Sequence, residues 1–131
     1  MKNRKGFTLV EIMIVVAIIA LLAAIAIPNL LRAKIAANDA VASSTLRTLS
    51  TAAETFATSN QGTYPSDVDD LTNATPPYIN KNYCDGVTAA GFTFDCDWDT
   101  GGYTLIASPA TVGTTGSATF TMVTGGILTG N

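Results

Sequence analysis

The chain has 131 residues, a formal net charge of −3, 47% apolar residues and only 13% charged ones. Histidine is absent, which excludes nucleophile systems of the Ser-His-Asp or Cys-His kind and imidazole-ligated metal sites. The acidic balance, with a pI near 4.5, also lacks the basic stripe that nucleic-acid binding requires.

These averages hide two different segments. Residues 7–27 hold a single ionisable side chain, Glu11, whereas residues 61–131 set seven aspartates against one base, Lys81. The first segment, FTLVEIMIVVAIIALLAAIAI, is long enough as a helix to cross a bilayer core of about 30 Å. Lys2, Arg4 and Lys5 precede it, and positive charge beside a first membrane helix keeps that end in the cytoplasm and sends the rest of the chain outside. A secretory signal cut near Ala24-Ile25-Ala26, leaving a secreted or membrane-anchored binding domain, is the competing reading. Against it stand the length of the run and its carboxylate, since h-regions span about 7–15 apolar residues. A carboxylate in a membrane helix costs about 2.5 kcal/mol or more near the bilayer centre. Glu11 therefore either snorkels to the head groups or awaits a positive charge from another chain.

The segment KGFTLVEIMIVVAIIALLAAIAIPNLLRA resembles the type III signal sequence and N-terminal helix of type IV pilins and their pseudopilin relatives. It has a short basic leader ending in Gly6, then Phe7, a carboxylate four residues after Phe7, a long apolar helix, and Pro28. The resemblance implies that a prepilin peptidase and methyltransferase cuts between Gly6 and Phe7 and methylates the new amino group of Phe7. Glycine at Gly6 suits that step, because a backbone without a side chain enters a peptidase site closely. Cleavage would remove three bases and take the side-chain balance from −3 to −6. The new ammonium at Phe7 could neutralise Glu11 of the same or a neighbouring subunit and set register during assembly. The implied partners are membrane lipid before assembly, the inner-membrane assembly machinery, and further copies of the chain in a helical homopolymer. The implied locations are the bacterial inner membrane for the precursor, then an extracellular pilus. For the major pseudopilin of a type II secretion system, the alternative within this resemblance, the second location is a periplasmic pseudopilus. Pro28 cannot donate to the helix ladder, so a kink or a locally melted turn is expected there.

The helix continues beyond the membrane. Ile35, Ala42, Leu46, Leu49, Ala53 and Phe56 recur at three, four and seven residues and form one stripe, expected to pack against the protein's own sheet, with a free coiled coil as the alternative. Asn60, Gln61 and Gly62 supply the stop, giving a helix of about 80 Å. Residues 63–83 read as an ordered surface connection, with Tyr64, Leu71, Tyr78 and Ile79 as plugs against the helix. Three or four short strands follow. In residues 92–98 the alternation is strict, with Phe92, Phe94, Cys96 and Trp98 on the face that meets the helix. A hairpin at Asp99-Thr-Gly-Gly102 leads into a strand over 103–107, then one over 117–123, and Gly125-Gly126 turns into Ile127-Leu128. The expected fold is α+β: one long N-terminal helix, membrane-spanning in its first half and amphipathic in its second, with a small antiparallel sheet head on its C-terminal half. The segments are a leader at 1–6, a transmembrane and polymerisation helix at 7–28, the amphipathic half at 29–60 and the head at 61–131.

Cys84 and Cys96, the two cysteines, lie in a segment placed outside the cytoplasm, where an oxidised pair is the economical reading. A redox-active pair is disfavoured without CxxC spacing. Asp95, Asp97 and Asp99 form a D-x-D-x-D run before a glycine turn, a weak match to a calcium loop that competes with solvated strand charges. No other cofactor is suggested. The carboxylates find no partner base and the glycines no phosphate-cradling context, so a structural, non-enzymatic role is expected.

Overall fold

The structure, a computed structural model, describes residues 6–131, so the expected leader bases Lys2, Arg4 and Lys5 lie outside the described residues. Helix α1 runs over Leu9–Ser59. The chain forms two compact units, with the division between Ala33 and Lys34.

In the N-terminal unit α1 is a single unbroken helix that passes through Pro28. The locally melted turn expected there does not form. Pro28 removes one ladder bond, the one to the Ala24 carbonyl, but beyond Ile27 and Asn29 the flanking turns are rich in alanine and leucine, and no glycine lies between Gly6 and Gly62. Strong helix formers on both sides carry the helix across the gap.

The second unit holds the core. Ala42, Leu46, Leu49, Ala52 and Ala53 of α1 join Phe92, Phe94, Leu105, Ala107 and Met122 in one buried cluster. Alanines at three of these positions on the buried stripe let strands approach the helix closely, while the two leucines fill the space between. Ile35 and Phe56, at the two ends of the expected stripe, are half-buried. Two polar residues enter this face. Thr45 returns its hydroxyl to the Val41 carbonyl at 2.9 Å, and Ser50 reaches the Tyr103 phenol oxygen at 2.7 Å. The helix ends as the Asn-Gln-Gly signal predicts: Gly62, at a left-handed φ of +89°, donates its N–H to the Ala57 carbonyl at 2.8 Å.

The connection after Gly62 is more ordered than expected, since it contains a short helix, α2, at Asp69–Thr72. Leu71 and Ile79 are buried plugs and Tyr64 and Tyr78 half-buried ones. The sheet has five antiparallel strands in simple chain order: β1 Thr88–Ala89, β2 Phe92–Asp99, β3 Gly102–Pro109, β4 Phe120–Val123 and β5 Ile127–Gly130. The expected alternation on β2 is present, with Phe92 and Phe94 buried, Cys96 and Trp98 half-buried, and all three aspartates exposed. Leu105 of β3 sits opposite both Cys96 and Met122, which carries the inward face across the sheet. Strand β1 was not expected. Ala90 and Gly91, both with positive φ (51° and 75°), make the two-residue turn that joins it to β2. The fourth strand starts at Phe120 rather than at 117, because Ser117 is drawn to the helix: its N–H and hydroxyl both donate to the Asp39 carboxylate, at 2.9 and 2.6 Å.

A disulfide joins Cys84 and Cys96, with Cα atoms 5.5 Å apart, and so ties the segment before β1 to the middle of β2. Closing a loop of this length stabilises a small domain by about 3 kcal/mol.

Candidate processing and assembly site

Gly6, Phe7 and Thr8 adopt no regular structure, and α1 begins at Leu9. What fixes that boundary is a reciprocal cap. The Thr8 carbonyl accepts the N–H of Ile12 at 3.3 Å, the first bond of the helix ladder. The Thr8 hydroxyl oxygen accepts the Glu11 N–H at 3.2 Å. In return, Glu11 Oε2 accepts the Thr8 N–H at 2.7 Å and the Thr8 hydroxyl at 2.8 Å. A helix start leaves several N–H groups without intrahelical acceptors, and a threonine followed three residues later by glutamate satisfies two of them at once. In the sequence Glu11 stands out for its charge and Thr8 does not. The T-x-x-E spacing ahead of an apolar run was the signal available.

Glu11 is thereby turned back toward the N-terminal end of its helix, with both of its side-chain hydrogen bonds on Oε2. Around it the surface is apolar. Every large apolar side chain between Phe7 and Leu31 is exposed, from 42% at Leu31 to 86% at Phe7. Such a surface is stable in lipid or against other apolar helices and unstable in water. The helix is long and apolar enough to cross a membrane.

The same stretch carries the similarity to known proteins. Residues 1–27 match the prokaryotic N-terminal methylation motif. The chain is 66% identical over 41 residues, 31% of its length, to the type IV wide pilus major component PilA4 of Thermus thermophilus, and this stretch is 31% of that relative. It is 50% identical over 54 residues, 41% of its length, to the type IV major pilin protein PilA of Myxococcus xanthus, of which it covers 24%. The chain thus matches about a quarter to a third of the length of these relatives. No solved structure matches it. The resemblance to type IV pilins read from the sequence is therefore present in the motif match and in both relatives, together with the α+β arrangement of a long apolar helix and an antiparallel sheet.

Gly6, Phe7 and Glu11 all lie within the stretch that matches the methylation motif, and the structure places them within a few positions of one helix start. Pro28 lies within α1, and the acidic run singled out in the sequence lies in the head. Asp95, Asp97 and Asp99 point from alternate positions along β2, so neighbouring side chains start about 6.8 Å apart. Asp99 accepts hydrogen bonds from its own turn, from the Thr100 hydroxyl and the Gly101 N–H, both at 3.2 Å. The strand separates the three carboxylates instead of gathering them, and among the described residues no three ligating side chains converge on a metal position.

The second unit also contains a polar cluster, centred on Glu54 of α1, to which nothing in the sequence pattern points. Its Oε1 accepts the Tyr103 hydroxyl at 2.9 Å and the Gly125 N–H at 2.8 Å, and its Oε2 accepts the Tyr64 hydroxyl at 2.9 Å. Since Tyr103 gives its proton to Glu54, Ser50 is the donor in the Ser50–Tyr103 bond. One carboxylate thus holds the post-helix segment, β3 and the β4–β5 turn to the helix. Burial alone would push the Glu54 carboxyl up, but the three donors from Gly125, Tyr64 and Tyr103 outweigh it and hold it below the usual carboxylate range. Tyr103 is pushed up by burial and by the neighbouring carboxylate, and Tyr64 by its hydrogen bond to Glu54. The partners lie 10, 49 and 71 residues away, beyond any local spacing rule.

Proposed function

We propose that the chain is the structural subunit of a type IV pilus-like filament. It is inserted in the inner membrane through α1, cut by a prepilin peptidase between Gly6 and Phe7, methylated on the Phe7 amino group, and polymerised by packing of its apolar helix against those of other copies. The observation that carries this reading is the conjunction at one helix start: the methylation motif, an apolar surface exposed from Phe7 to Leu31, and a lone carboxylate at Glu11. An ammonium created at Phe7 is the charge that such a carboxylate lacks in an apolar medium. The names of the two relatives are those of pilus components, which favours a pilus over a periplasmic pseudopilus. A structural rather than enzymatic role follows from the same reading.

Intact mass and N-terminal sequencing of the protein sheared from cell surfaces test it. The expected chain begins at N-methylated Phe7. A chain that still begins at Met1, or one that begins near Ile27, would overturn the reading.

A further inference from the structure

The cap at Thr8 has a consequence for the bond that precedes it. Endopeptidases take their substrates as extended backbone, and a peptide bond wound into a helix presents neither its carbonyl nor its flanking side chains to a cleft. Here the helix begins at Leu9, two residues after Phe7, and Gly6 and Phe7 lie outside it. Nothing in the apolar run imposes that stop, for Phe7 itself is tolerated in helices. The first-turn N–H groups would otherwise need acceptors, and near a lipid interface an unsatisfied N–H is costly. Without the Thr8 hydroxyl, the nearest acceptors are the carbonyls of Phe7 and the residues before it, and using them winds the helix upstream over the scissile bond.

We propose that Thr8 is a positioning residue for processing: its side chain terminates α1 and keeps the bond between Gly6 and Phe7 in the non-helical conformation that the peptidase requires. This rests on the cleavage site proposed above. Thr8 itself lies on the product side of the cut and acts through the backbone it caps rather than on the reacting atoms.

The test compares cleavage of the full-length precursor in membranes containing the peptidase, for the parent chain, Thr8→Val and Thr8→Ser. The cleaved fraction is counted against membrane-inserted precursor, so that poor insertion does not imitate slow cleavage. Valine keeps the shape and removes the hydroxyl; serine keeps the hydroxyl and the cap. Cleavage of Thr8→Val is expected to slow about fivefold, the population ratio that loss of a typical cap carries, and Thr8→Ser is expected to stay within about twofold of the parent. Equal rates for valine and the parent, or a serine variant as slow as valine, would overturn the role of the cap. Failure of the parent chain to be cut between Gly6 and Phe7 would instead overturn the functional reading beneath it.

Discussion

In the second unit, Phe94, Leu105 and Leu46 are completely removed from water, and Glu54 and Asp39 each anchor distant segments through two or more hydrogen bonds. Between residues 7 and 31 the opposite holds: no large apolar side chain is buried, and the side-chain hydrogen bonds of that stretch are the three between Thr8 and Glu11. The same helix passes through both regions. Its C-terminal half finds its apolar partner within the chain, and its N-terminal half must find one outside it, in lipid or in other copies. Stability and assembly are therefore separable properties, written on different residues of one element.

The sharpest way to break this comparison is to truncate one large side chain in each region. Phe94→Ala empties a fully enclosed core position and is expected to destabilise the head by about 3–5 kcal/mol, read as a lower denaturant midpoint for the full chain in detergent. Leu21→Ala is expected to leave that midpoint unchanged and to lower filament yield. If Leu21→Ala shifted the midpoint as far as Phe94→Ala, the two halves of the helix would not be independent.

A smaller effect is expected at Glu54. Replacing it with glutamine keeps the shape and removes the charge that strengthens three hydrogen bonds, a loss of about 1–3 kcal/mol of head stability. Its folded pKa is lowered, so its contribution is fully present above the unfolded value of about 4.3 and is lost as pH falls through the folded value. Tyr103 is raised, so its contribution is present below about pH 10 and is lost as pH rises through its folded value. Midpoints measured from pH 7 downward should fall for the parent chain and fall less steeply for Glu54→Gln. Parallel curves would remove Glu54 as the source of the acid sensitivity.

How much of this was legible in the sequence depended on the range of the interaction. The apolar run, the stripe through Leu46, Leu49 and Ala53, and the alternation through Phe92 and Phe94 are periodic, and periodicity reports a buried face directly. The Asn-Gln-Gly stop after α1 is likewise a local signal that the structure obeys. Strand β1 escaped because two residues carry no period and an Ala-Gly turn is not a common hairpin signature. The late start of β4 escaped because its cause, Asp39, lies 78 residues from Ser117. Glu54 has no partner at a local spacing in the sequence, and only the fold brings its three donors to it. At the candidate site the charge of Glu11 was conspicuous, while its partner Thr8 was hidden in plain view, since a cap is a spacing rule that draws no attention inside a hydropathy pattern.

The central claim is that the apolar half of α1 takes its partner from other copies and that Glu11 supplies the charge that pairs them. Glu11→Gln tests it most directly, because glutamine can still accept from the Thr8 N–H and hydroxyl and so keeps the cap, while it cannot neutralise an ammonium. The quantity to measure is the amount of filament sheared from cells, alongside the N-terminus of the membrane-held protein. The account predicts a chain correctly processed to Phe7, a head of unchanged stability, and little or no filament. Filament at the parent level from that variant would contradict it.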